Sequence, residues 1–161
     1  MDLSGYFQML ARYNRIANER LYESCGALDA AEYRKPRAGS FGSIHGLLNH
    51  ILLGDRIWMA RFEGGGRDTP AVVIDDFPGL LAARTREDAR IEAFFHGIYE
   101  AFFSRSFAYL NHSGKPYVDA APVAVAHFFN HQTHHRGQVH VMLSQTGMAA
   151  PSLDLHRVIH P

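Results

Sequence analysis

The chain has 161 residues, with 16 basic and 16 acidic side chains and a formal charge of zero at pH 7. That balance excludes a polybasic nucleic-acid arm and an acidic solvating tail, while 47% hydrophobic and 20% charged residues exclude a disordered chain. One cysteine, Cys25, excludes an intramolecular disulfide framework and a cysteine-rich zinc module.

Length fits a single domain over residues 1–161. Leu3, Phe7, Leu10, Asn14, Ala17, Leu21, Cys25 and Leu28 recur at three- and four-residue steps and predict a first helix with a narrow apolar stripe. Residues 33–43, with Pro36, Gly39 and Gly42, read as a loop ending in a serine cap. A second helix is predicted over residues 44–62, stopped at Gly64-Gly65-Gly66. Asp68-Thr69-Pro70 and the short run 71–74 make a connection, and Asp75, Asp76 and Pro78 open a third helix. Its periodicity carries it past Ile91, Ile98 and Phe102. Residues 107–110 and Tyr117-Val118 suit a small hairpin around Ser113-Gly114. A fourth helix fits residues 122–145, closed by Gly147 and Pro151.

Four helices of similar length, with no convincing long strand, predict an all-α four-helix bundle whose longer loops allow a crossover. The longest uncharged apolar stretch, residues 41–54, is too short to span a bilayer and carries His45, Asn49 and His50. The start Met1 to Gly5 lacks the basic-then-apolar order of a signal peptide, so a cytoplasmic location without membrane contact is expected.

The composition departs from the ordinary in histidine, at eleven copies. In the fourth predicted helix His127, His131 and His135 step by four and share one face, with Val123 before them and Met142 after. That stripe reads as core, apolar at its ends and imidazole in its middle. Buried imidazoles need partners, and a metal ion supplies one. Consecutive members lie about 6 Å apart along the axis and the outer two about 12 Å, so His127 with His131, or His131 with His135, can share an ion. Spacing leaves both pairs open. His50 in the second helix is a third candidate ligand. Gly46 and Gly54 flank it at four residues on either side, to leave room for a metal and substrate or to pack closely against a neighbouring helix.

These residues resemble the DinB/YfiT-like family of metal-dependent proteins. The resemblance is carried by Phe41-Gly42-Ser43-Ile44, Leu48-Asn49-His50-Ile51-Leu52 and Asp55-Arg56-Ile57-Trp58. Its most specific stretch is Asn130-His131-Gln132-Thr133-His134-His135-Arg136-Gly137-Gln138, followed by Pro151-Ser152-Leu153-Asp154-Leu155. The resemblance implies a four-helix bundle holding one divalent metal, nickel or zinc before iron or manganese, through His50, His131 and His135. His127 and His134 then become pocket candidates. It also implies a homodimer, and thiol-dependent isomerase or transferase chemistry on a small-molecule substrate with a low-molecular-weight thiol.

Three neutral imidazoles would leave coordination positions open, the arrangement of a catalytic site. The metal could then make a nucleophile of a bound thiol or, less favoured, of water for hydrolysis. A non-catalytic metal-binding stress-response or structural dimer is the alternative. Nucleic-acid binding is disfavoured by the absence of a basic stripe. Asp55 is a candidate to orient a ligand ring or to pair with Arg56 or Arg136; a surface ion pair is equally compatible. Asn14 interrupts the first stripe, to face the metal pocket or to fix helix register. Trp58 and Cys25 read as packing. The apolar excess of residues 93–103 suggests a dimer surface or cover by the hairpin.

Overall fold

The computed structural model describes residues 1–64, 72–111 and 113–160. Gly65, Gly66, Asp68, Thr69, Pro70 and Ala71, part of the expected helix stop and connection, lie outside the described residues. The helices are α1 (Leu3–Gly26), α2 (Ala30–Arg34), α3 (Ile44–Phe62), α4 (Phe77–Gly97), α5 (Ala121–Ser144) and α6 (Leu155–Ile159), and a largely exposed two-stranded hairpin, β1 (Ser106–Leu110) and β2 (Pro116–Ala120), packs against α3 and α5. Among the described residues the fold is all-α apart from that hairpin. Four of these helices make the bundle. α1 packs along α4 and α5, and α3 packs along the same two, so α1 and α3 occupy opposite corners. The connection through α2 therefore crosses the bundle's diagonal.

Local chemistry sets the helix starts. Asp2, Ser43 and Asp76 each accept a hydrogen bond from the backbone N–H three residues on, closing α1, α3 and α4. Pro78 and Pro122 occupy the first turns of α4 and α5, where no N–H is needed. α3 spans the residues periodicity predicts, and Gly64 after it adopts a positive φ of 92°.

Two expectations change. The third predicted helix does not run past Ile98 and Phe102: α4 ends at Gly97, Ile98 is extended, and Phe102 lies in a 3₁₀ turn, Glu100–Ser104. The apolar pattern continues because these side chains fold back onto the bundle. Phe95, Phe102 and Phe103 are buried with Phe62, Phe107 and Phe128 inside the same chain, while Tyr99 stays 80% exposed. Second, the histidine stripe of α5 does not form a uniform core face. Val123 and His127 are exposed, His131 is half-buried, and His135 and Met142 are buried. Each four-residue step rotates the face by about 40°, which winds the stripe from solvent into the bundle.

The core has two ends of different character. Aromatic rings such as Phe7, Phe62, Phe95 and Phe128 fill one end; Leu21, Leu48, Leu80 and Leu143 fill the other. Between them every bundle helix contributes a buried polar residue: Asn14 and Asn18 from α1, Asp55 from α3, Arg84 and Asp88 from α4, Gln132 and Arg136 from α5. No helix of the described residues is long and apolar enough to cross a membrane.

Candidate metal centre

His50 comes from the middle of α3, and His131 and His135 from successive turns of α5. Because α3 packs on α5, the three rings meet in the groove between them. His50 Nε2 lies 3.2 Å from His131 Nε2 and 3.1 Å from His135 Nε2. One nitrogen per ring falls within 4.8 Å of the others, and this is the one such His/Cys/Asp/Glu group among the described residues. An ion bonded to imidazole nitrogens at 2.0–2.1 Å holds neighbouring donors about 2.9 to 3.4 Å apart, from octahedral to tetrahedral angles. The His50 distances fall inside that range.

Protonation fits the same reading. His135 Nδ1 lies 2.8 Å from Gln138 Oε1, an acceptor, so Nδ1 carries the proton and Nε2 turns its lone pair into the cluster. Gln138 Nε2 in turn reaches His134 Nε2 at 3.2 Å. Burial lowers the pKa of His50 to about 4, helped by His135, and that of His131 to about 3, helped by the surrounding imidazoles. Burial also lowers His135, against the opposing bond from Gln138. At neutral pH the rings are uncharged and their converging lone pairs repel, and a cation converts that repulsion into bonding.

The flanking glycines do different work. A Cβ at Gly54 would lie 2.8 Å from His131 Cε1, so its absence admits the ligand ring from the opposite helix. A Cβ at Gly46 would strike the Phe41 carbonyl oxygen at 2.3 Å, so that glycine serves close backbone packing. Phe41 then lies flat over His50 with ring centres 3.7 Å apart and presents an edge to His135 at 5.5 Å.

The remaining candidate residues separate. His127 is exposed, its ring 5.2 Å from Trp58 and 6.0 Å from His131. His134 is exposed beside His135. Asn14, Asp55 and Arg136 belong to the polar layer instead. Asp55 pairs with neither Arg56 nor Arg136; its carboxylate accepts from Arg84 Nη1 at 2.5 Å and from Gln132 Nε2 at 2.7 Å. Arg84 Nη2 sits 2.9 Å from Asp88 Oδ1, which also accepts from Asn18 at 2.9 Å and Asn14 at 3.3 Å. Arg136 donates to Asn14 and lies 3.4 Å from Gln132 Oε1, closing the circuit through all four bundle helices. Two guanidinium groups balance two carboxylates. Burial nevertheless raises the Asp88 pKa to about 6 and raises that of Asp55, outweighing Arg84. Sequence reasoning missed Asn18, Arg84, Asp88 and Gln132, although Gln132 and Arg136 each follow a candidate ligand directly.

Trp58 and Cys25 are buried, and burial pushes the Cys25 thiol up to about 12, which makes it inert.

The model of the DinB family matches residues 1–161. The chain belongs to the DinB family. It is also similar to "Protein DinB" of Bacillus subtilis (strain 168), with 24% identity over 94% of this chain and 92% of that protein. This DinB-family chain therefore carries a three-histidine group that could hold a metal ion, set against a buried polar layer.

Proposed function

We propose that this DinB-family chain is a metalloenzyme using one divalent ion, nickel or zinc before iron or manganese, to activate a small thiol against an electrophilic substrate. The observation that supports this is the convergence of three neutral imidazole nitrogens, with no fourth His, Cys, Asp or Glu in the group among the described residues. Structural zinc sites close their shell with four protein ligands, whereas three-ligand sites keep a position for substrate.

A divalent ion bound there supplies Lewis acidity that makes a thiol, or less favourably a water, a nucleophile near neutral pH. The chain's own residues prepare the site. Gln138 fixes His135 in the tautomer that offers Nε2, burial keeps His50 and His131 unprotonated, and Phe41 shields the face of His50 from water. The assembly we propose is a homodimer, with exposed Tyr99 at its contact.

The test combines metal analysis with a panel of small thiols and a chromogenic aryl chloride, on wild type and His131→Ala. The reading predicts thiol consumption faster than background only with metal and only in wild type. Stoichiometric metal with background rates throughout would favour the non-catalytic metal-binding alternative.

A further inference from the structure

Beside His135, a cleft of about 360 Å³ runs between α5 and residues 38–41. Its floor is apolar, with Phe41, Leu47 and Met142, and its polar lining comes from Ser40, Gln138 and Gln145 beside the His134 imidazole. No Asp, Glu, Lys or Arg lines it among the described residues. Its size falls in the range of small-molecule sites. Three lining residues also touch the histidine cluster: Phe41 stacks on His50, Gln138 accepts from His135, and the His134 ring lies 4.8 Å from that of His135. A molecule in the cleft is therefore one side chain away from the three converging nitrogens.

Gly137 gives the cleft its second distinguishing feature. It lies well inside α5, where glycine is a poor helix former. Close packing and left-handed backbone are the usual structural reasons for such a glycine. Neither applies, because a Cβ at Gly137 would meet nothing within 4 Å and its φ is not positive. The absent side chain leaves open space, and that space belongs to the cleft.

We propose that this cleft is the substrate pocket of the metal centre, and that its ligand is an uncharged molecule with an apolar chain or ring. The inference rests on the metalloenzyme reading above. The reactive head lies toward His135 and the tail along Leu47 and Met142. A charged tail would be desolvated there without a counter-charge, so neutral ligands are selected. Gly137 keeps the mouth wide enough for the tail to enter.

The experiment uses alkyl hydroxamates, whose metal-binding head is constant, on zinc-loaded protein. Tails run from two to eight carbons, and an eight-carbon chain ending in a carboxylate is included. Burial of each methylene strengthens binding about fourfold, so burying even two of the six extra methylenes should make octanohydroxamate bind more than about tenfold more tightly than acetohydroxamate. The carboxylate-ended chain should lose that gain. Gly137→Leu, a favourable change for the helix, should fill the cleft and bring the octano-to-aceto ratio close to one. Equal affinities along the series, or the same ratio in both proteins, would overturn the proposal. If no hydroxamate binds because no metal is held, metal-free protein is titrated with the neutral fluorophore N-phenyl-1-naphthylamine. Brighter emission with wild type than with Gly137→Leu then retains the cleft and removes only the metal reading; equal emission overturns the cleft.

Discussion

Gln132 Nε2 donates to Asp55 Oδ1 at 2.7 Å, tying α5 to α3 one residue away from His131. The bond belongs to a charge-balanced layer that joins all four bundle helices at the level where α3 and α5 supply their histidines. Helix register in the middle of the bundle and convergence of the three Nε2 atoms are thus set by neighbouring residues on the same turns.

Breaking this layer should cost both stability and metal affinity. Asp55→Ala leaves Arg84 buried with one carboxylate partner fewer and should destabilise the fold by about 3 to 5 kcal/mol. Gln132→Ala removes the bond to Asp55 and the longer one from Arg136 and should cost about 1 to 3 kcal/mol. Urea unfolding measures both, and a loss under 0.5 kcal/mol (on the order of a surface change) for Asp55→Ala would contradict the layer's role.

The two glycines around His50 should separate in their effects. In Gly54→Ala the added Cβ meets the His131 ring at 2.8 Å, so zinc affinity should fall by roughly tenfold or more, the scale of a displaced ligand. In Gly46→Ala it meets a backbone carbonyl at 2.3 Å, which cannot rotate away, so the main loss should appear in thermal stability. Zinc titration and thermal unfolding of both variants compare the two losses; equal effects on zinc affinity would contradict the assignment.

Gln138 orients His135 without being one of the three converging donors. Gln138→Leu removes the acceptor for Nδ1–H and frees the other tautomer. Zinc affinity should drop by about 10- to 100-fold with little change in unfolding midpoint. An unchanged affinity would show that the tautomer is set elsewhere.

The metal-free protein should lose stability as pH falls below about 6.5, the ordinary histidine value. His50 and His131 have folded-state values near 4 and 3, so the unfolded chain takes up their protons first. Their contribution is complete above the unfolded value and is lost progressively as pH falls through about 4 and 3. Denaturation at several pH values should give a shallower slope for His131→Gln than for wild type. Parallel slopes would contradict the burial of that ring as the cause.

Much of this architecture is legible in the sequence. Ser43 as a cap, the stop at Gly64 and the periodicity between them delimit α3, and the four-residue steps of His131 and His135 place two candidate donors on one side of α5. The end of α4 is less legible, because Ile98 and Phe102 keep the apolar spacing of a helix after the backbone has left it. Side-chain burial requires only that a residue reach the core, and Gly97 was the local signal of the break. The polar layer is harder still. Arg84 and Asp88 look like an exposed i, i+4 ion pair, and only their partners on other helices make them buried. Asn14 interrupting an apolar stripe and Asp55 as a possible partner of Arg136 were its visible traces, and in the structure Asn14 bonds to Asp88 and Arg136 within that layer.

The most direct measurement is the metal content of untagged protein after mild purification, for wild type, His50→Ala, His131→Ala and His135→Ala. Convergence of the three Nε2 atoms predicts one divalent ion per chain in wild type and a large loss in each variant. Equal metal content in all four proteins would contradict a centre built on these three histidines.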